Sequence, residues 1–183
     1  MDRDFNLKSN LQKLIEDYLS KGYARKLSTE EIQVKHPRTW YLPLFAVTNP
    51  IKPGKIRTVW DVAANGVSLN STLLKGPDIF NCLFGILQRF CERPIAICGD
   101  IKEMFHQIHI SKEDQHSQRF LWRNSKNEEI GVYSMNVMTF GATCSPSAAQ
   151  FVKNNNASSF SNTIPRADHQ GEPLSRRFAG HRG

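Results

Sequence analysis

The segment Ile95-Ala96-Ile97-Cys98-Gly99-Asp100-Ile101-Lys102-Glu103-Met104-Phe105-His106-Gln107-Ile108 decides how the rest of the chain is read. Ile95 to Cys98 is a short apolar run with the length and composition of a buried strand, and it ends at Gly99-Asp100. A carboxylate therefore stands at a strand end, and an aromatic follows five residues later at Phe105. An aspartate in that place is, by itself, more often a turn or cap residue than a ligand. Its neighbours along the chain change the reading.

Upstream, Trp40 to Val47 is apolar and extended, and Pro43 confines it to an edge or irregular strand. Asn49-Pro50 and Lys52-Pro53-Gly54 read as a turn, and Lys55 to Trp60 returns as a strand, giving a hairpin with a basic tip. Asn65-Gly66 marks another turn, and Ile79, Leu83, Ile86, Leu87 and Phe90 have the spacing of an amphipathic helix. Nearer the start, Phe5 to Lys21 is also an amphipathic helix. Leu7, Leu11, Leu14, Ile15, Tyr18 and Leu19 share one face, Gly22 stops it, and packing is its expected role.

Downstream, Ser111 is placed to cap a short helix through Asp114. Phe120 to Trp122 and Val132 to Val137 read as a strand pair around the polar loop Asn124 to Glu129. Phe140-Gly141-Ala142-Thr143-Cys144-Ser145-Pro146-Ser147 is a glycine loop opening a helix. Pro146 sits in its first turn and the helix runs to about Lys153, with Gln150 and Phe151 as packing residues. After Ala157 the texture becomes polar and small. Asp168 to Gly183 has no apolar periodicity and is expected to hold no stable structure.

The 183 residues suffice for a domain with a real core, and a hydrophobic fraction of 39% with a mean hydropathy of −0.46 fits a globular protein. No apolar run approaches the ~20 residues of a membrane span, and Met1 to Asn10 has no secretory character, so an intracellular location without membrane contact is expected. The net charge of +7 and pI of about 9.4 suggest an anionic partner such as nucleic acid. The excess does not depend on the tail, where Arg166, Arg176, Arg177 and Arg182 are set against Asp168 and Glu172. Cys82, Cys91, Cys98 and Cys144 form no Cys-x-x-Cys pair, and their apolar surroundings suggest reduced, mostly buried thiols. His106, His109 and His116 lie close in sequence. Strand parity would aim the first two at opposite faces, so no histidine metal site is expected.

The order is basic hairpin, aspartate strand, then glycine loop before a helix, and it resembles the first blocks of retroelement reverse transcriptases. Trp40-Tyr41-Leu42-Pro43, Lys52-Pro53-Gly54-Lys55, Gly66-Val67-Ser68-Leu69-Asn70, Leu73-Leu74-Lys75-Gly76-Pro77-Asp78, Met104-Phe105-His106-Gln107 and Phe120-Leu121-Trp122 together look like the BEL/Pao lineage of LTR retrotransposons. The resemblance spans roughly Phe5 to Ala167.

That resemblance implies an α+β fold: the fingers and first half of the palm of a right-hand polymerase. Residues 1–39 would form an N-terminal helix and lead-in, 40–167 the partial reverse transcriptase domain, and 168–183 a disordered tail. It implies RNA-directed DNA polymerisation with an RNA/DNA template-primer, deoxynucleoside triphosphates and Mg²⁺. Asp100 matches the first catalytic, metal-binding aspartate, assisted by the backbone carbonyl of Ile101. Lys55 and Arg57 match the residues that grip the incoming triphosphate, a task that suits the arginine fork. Phe105 matches the residue that excludes a 2′-hydroxyl, with core packing as the competing reading. Phe140 and Gly141 match the loop beside the nucleotide, where a missing side chain admits close backbone approach. Asp61 is expected to form a structural ion pair with Arg57 or Lys55, and Trp60 is assigned no role.

The resemblance fails where the family needs an aromatic-x-Asp-Asp hairpin, because the chain contains no Asp-Asp. A two-metal site needs several carboxylates, so Asp100 alone is not expected to support polymerisation. Two other readings stay open: a non-catalytic nucleic-acid-binding remnant, and a translated fragment without function. The tail has its own expectation. Arg176-Arg177-Phe178-Ala179-Gly180-His181 admits the codons CGA CGA TTT GCT GGA CAC, which read one base later give Asp-Asp-Leu-Leu-Asp. An out-of-frame reading of the missing hairpin is therefore expected there.

Overall fold

The computed structural model describes residues 5–49, 52–64, 66–92, 94–95 and 97–160, with side chains for all of these except 5, 6, 49, 52–55 and 160. It is a mixture of helices and small antiparallel sheets and divides into two compact units. One comprises Met1–Leu74 with Phe105–Ser145, the other Lys75–Met104 with Pro146–Gly183.

The first unit opens with helix α1, Phe5–Ser20. Leu11, Ile15 and Tyr18 are buried, with Leu14 and Leu19 packed against the same core, as helical spacing requires. Gly22 ends the helix at φ +71, a conformation that costs glycine little. The Tyr23 amide bonds the Tyr18 carbonyl and the Gly22 amide bonds the Leu19 carbonyl, a Schellman closure. Strand β1, Ala24–Lys26, follows, then helix α2, Thr29–Gln33. Helix α2 was not anticipated from the sequence, and a capping box opens it. Ser28 Oγ accepts the Glu31 amide and the Glu31 carboxylate accepts the Ser28 amide.

Strand β2, Leu44–Asn49, begins directly after Pro43 and pairs antiparallel with β3, Lys52–Trp60. Lys52-Pro53-Gly54, expected in the turn, belongs to β3 instead. The register pairs Asn49 with Lys52, and Pro53 falls in a two-stranded ribbon, where it interrupts no interior ladder; Pro50 of the expected turn lies outside the described residues. Helix α3, Leu69–Thr72, is capped by Ser68. Helix α5, Lys112–Gln115, carries the expected Ser111 cap, with Oγ accepting the Asp114 amide. Strands β4, Arg119–Trp122, and β5, Gly131–Met135, form the expected pair, and β1 adds to the far side of β5. Tyr18, Leu42, Trp60, Val62, Leu69, Phe120, Met135 and Val137 fill the core together with Ile15 and Ala24.

The second unit has little core. Helix α4, Leu83–Cys91, has the anticipated apolar face, yet Leu83, Leu87 and Phe90 are exposed. Helix α6, Ser145–Phe160, runs well past Lys153, and Phe151, expected to pack, is 64% exposed. Ala149 is the one buried apolar residue described in this unit. Ile95 to Cys98 forms neither a strand nor a buried segment: Ile95 is 79% and Ile97 91% exposed. A central strand exists only when neighbours satisfy its N–H and C=O groups, and the described residues supply none there. The cysteines are free, as expected, but Cys82, Cys91 and Cys98 are exposed, because the apolar surroundings that suggested burial are exposed themselves. The tail beyond 160 lies outside the described residues.

Candidate functional site

Alternation along β3 places Ile56, Thr58 and Trp60 on one face. That face looks inward: the Thr58 hydroxyl lies 3.0 Å from Tyr18 Oη, and the Trp60 ring is buried edge-on against Phe120 at 4.9 Å. Trp60, given no role by the sequence, is thus a core residue. Arg57 and Val59 hold register positions on the other face, and Arg57 is exposed opposite Val47, itself 45% exposed. The Lys55 side chain is outside the described residues. Among the described residues Asp61 forms no ion pair with Arg57; its Oδ1 accepts the Ala63 amide at 3.2 Å in a local turn, and the alternative pair with Lys55 lies outside the described residues.

Three of the sequence blocks converge in the first unit. Asn70 Nδ2 donates to the Gly141 carbonyl at 3.0 Å, and Asn70 Oδ1 accepts the Thr143 amide at 2.8 Å. One side chain therefore holds the glycine loop by both of its polar atoms. Gly141 sits at φ +92, and a Cβ there would lie 3.1 Å from Val62 Cγ2, so both conformation and space call for glycine. Next to it, the Phe140 ring receives Phe105 edge-on, with centroids 4.8 Å apart. His106 is buried behind this pair, with Tyr18, Tyr23 and Phe140 rings about it at 5.1, 5.2 and 5.2 Å. Phe105 and His106 lie in a short 3₁₀ turn, Met104–Gln107, not in an extended segment.

The second unit carries Asp100 and Ile101, both exposed in a non-helical, unpaired stretch. Glu103 follows at φ +54, a left-handed conformation uncommon outside glycine, so the chain bends sharply just after Asp100. Gly76-Pro77 meets the first turn of α6. Ser147 Oγ donates to the Pro77 carbonyl at 2.9 Å, and a Cβ on Gly76, at φ +80, would lie 2.7 Å from that oxygen. Among the described residues no three His, Cys, Asp or Glu side chains gather as a metal-holding group. The described residues around Asp100 thus do not form the donor group that a pair of Mg²⁺ ions needs.

Sequence reasoning placed Asn70 in a family-like block but gave it no role, because its importance lies in bonds to residues more than seventy positions away. It missed Arg119, which is only 1% exposed. The Arg119 Nη2 lies 2.6 Å from His116 Nδ1 and donates to the Glu31 carbonyl at 3.3 Å. The His116 ring stacks on His36 at 4.3 Å. Burial first, then the positive charge of Arg119, His36 and Arg25, pushes the His116 pKa below its ordinary value. No helix among the described residues is long and apolar enough to cross a membrane. The chain matches no known protein-family model and no curated protein.

Proposed function

We propose that the chain is a piece of a BEL/Pao-type reverse transcriptase, comprising the fingers and the first half of a right-hand palm. The observation that carries this reading is the Asn70–Gly141 junction with Phe105 against Phe140. Blocks widely separated in sequence, picked out for their likeness to that family, share one small site in one unit. The outward face of the β2–β3 ribbon adds Arg57 in a setting suited to phosphate. The uncovered second unit fits half a palm: α4, α6 and Ile95–Ile101 expose the apolar surface that further palm strands would cover.

In this reading Arg57 contacts the triphosphate, Phe105 limits the space near the sugar 2′ position, and the Phe140-Gly141 backbone lies beside the nucleotide. Asp100 is the first of several carboxylates the chemistry requires. The described residues supply no companions, so the chain alone binds template-primer without extending it. The test is primer extension by the chain alone and by a version extended with an aspartate-hairpin palm and a thumb. The extended version is expected to incorporate deoxynucleotides, and Asp100→Asn to abolish this. Absence of Asp100-dependent extension would count against the assignment. Salt-dependent template-primer binding by both versions, without extension by either, would favour the non-catalytic binding remnant that the basic charge also suits.

A further inference from the structure

A cavity of about 570 Å³ opens in the first unit, lined by Arg25, Leu27, Glu31, Lys112, His116 and Arg119 among others. Its volume falls within the usual range for small-molecule sites, roughly 300–1,000 Å³. Cations reach it from three elements: Arg25 on β1, Lys112 on α5 and Arg119 on β4. Glu31 is the one carboxylate in the lining, and it is already engaged. Arg25 Nη1 bonds it at 2.8 Å, and the Ser28 amide donates to it at 2.9 Å. Asp114 and Glu113 on α5 are held by Arg38 and do not line the cavity.

Arg119 is the central observation. A guanidinium taken out of water calls for a carboxylate or another anion. Among the described residues the Glu31 carboxylate feels the Arg119 charge but is bonded to Arg25 and the Ser28 amide, and no carboxylate lies within ion-pair distance of Arg119. A single nitrogen, Nη2, makes both of its bonds, to a backbone carbonyl and a histidine ring. The fork therefore has donors left over, and it lines the cavity.

We propose that this cavity binds a phosphate group, with Arg119 as its anchor and Lys112 and Arg25 closing around it. Cations converging from three directions suit a tetrahedral dianion with several oxygens better than a single planar carboxylate. The volume leaves room for the group that carries the phosphate. A free mononucleotide and the 5′-phosphate end of a nucleic acid present the same chemistry. Binding also places negative charge beside His116, which makes its protonation easier.

Titration of the whole chain with inorganic phosphate, at ionic strength matched with chloride, tests this by NMR of the Arg119 Nε–H and His116 ring signals. Saturable shifts at both are expected, together with a rise in the His116 pKa. Lys112→Gln, a change at an exposed position that leaves the core untouched, should weaken binding about tenfold, as loss of one charged hydrogen bond does. Arg119→Gln should abolish binding, and if that variant does not fold, the combined Lys112→Gln and Arg25→Gln chain takes its place. Lys153→Gln, on α6, should bind like the parent. AMP and a 5′-phosphorylated oligonucleotide, compared with its 5′-hydroxyl counterpart, separate the two sources. Shifts no larger than chloride produces, or affinity unchanged by Lys112→Gln, overturn the proposal.

Discussion

Asn70 holds Gly141 and Thr143 at once, donating to the carbonyl of the first and accepting the amide of the second. The same loop turns at Gly141 through φ +92, with Val62 against its open side. Asn70→Ala strands a carbonyl and a part-buried amide, so it should cost about 1–3 kcal/mol in unfolding free energy. Asn70→Asp keeps the bond to the Thr143 amide and should cost less. Denaturant unfolding of the two variants checks the order, and equal losses would mean the bridge is not what holds the loop.

Gly141→Ala tests the same loop from its backbone. A Cβ meets Val62 Cγ2 at 3.1 Å, and alanine disfavours the left-handed region by roughly 1–2 kcal/mol. A drop of that order in stability is expected, read as a lower melting temperature with the core signals of Trp60 retained. A neutral substitution would show that the loop relaxes freely.

Phe105 is half-buried against Phe140, so the steric role proposed for it competes with packing. Phe105→Val removes an edge-to-face pair worth about 0.5–1.5 kcal/mol beyond its buried area. In the chain completed with the rest of a polymerase, the same change should raise the use of ribonucleotides relative to deoxynucleotides. Unchanged selectivity with reduced stability would assign Phe105 to packing alone.

How far the sequence spoke depended on whether an element is defined locally. Helix α1 was legible because six apolar side chains recur at helical spacing and glycine stops it. The Ser111 cap was legible because capping acts within a few residues, and the pairing of β2 with β3 was legible too, although Lys52-Pro53-Gly54, read as the turn, lies in β3. The Ile95 to Cys98 strand was not, because an apolar run states only that a segment could be buried. Pairing decides the rest, and the described chain offers no neighbouring strand. Within the candidate site, Phe105, Phe140 and Gly141 could be picked out by likeness. Asn70 stood in a family-like block, but its bridging role could not be read there, and Arg119 could not be picked out at all, since a bridge across the fold and a buried guanidinium leave no local pattern.

His116 sets a pH dependence with a definite sign. Burial first, and then the Arg119, His36 and Arg25 charges, lowers its pKa in the folded chain, while Glu31 acts the other way. Above about pH 6.5, the ordinary histidine value, neither state holds the proton and the group is neutral to stability. As pH falls below that, the unfolded chain takes up a proton that the folded chain resists, so stability declines until the lowered folded pKa is passed. Melting temperatures should therefore fall between about pH 7.5 and 5.5 more steeply for the parent than for His116→Gln. Identical slopes would place the titration elsewhere.

The tail beyond residue 160 lies outside the described structure, but its coding DNA makes a prediction of its own. A shift of frame between the codons of Ala167 and Ser175 should restore an aromatic-x-Asp-Asp segment at Arg176-Arg177 and open a reading frame into a thumb-like region. If Ser175 is AGT, the shifted codon before the two aspartates is valine. Arginine codons of the AGA or AGG type, or immediate stops in the shifted frame, would rule this out.

The second unit yields the last prediction. Ile95, Ile97, Leu83, Phe84 and Phe151 are each more than half exposed, and Ala149 is the unit's one described buried apolar residue. Exposed apolar clusters of this kind drive association. A strand-length segment with unpaired N–H and C=O groups offers a further route, edge to edge. The isolated chain should therefore bind a hydrophobic dye and self-associate as its concentration rises. Ile97→Lys should reduce both effects, because a charge placed in such a segment opposes edge pairing. The completed chain separates the causes. If palm strands cover this surface, Ile95 to Ile101 should gain slow amide exchange there and the dye signal should fall, and Ile97→Lys should now destabilise the fold instead of improving its solubility. A monodisperse isolated chain with a sharp, reversible melting transition would show that the exposed surface is tolerated in water and that no cover is needed.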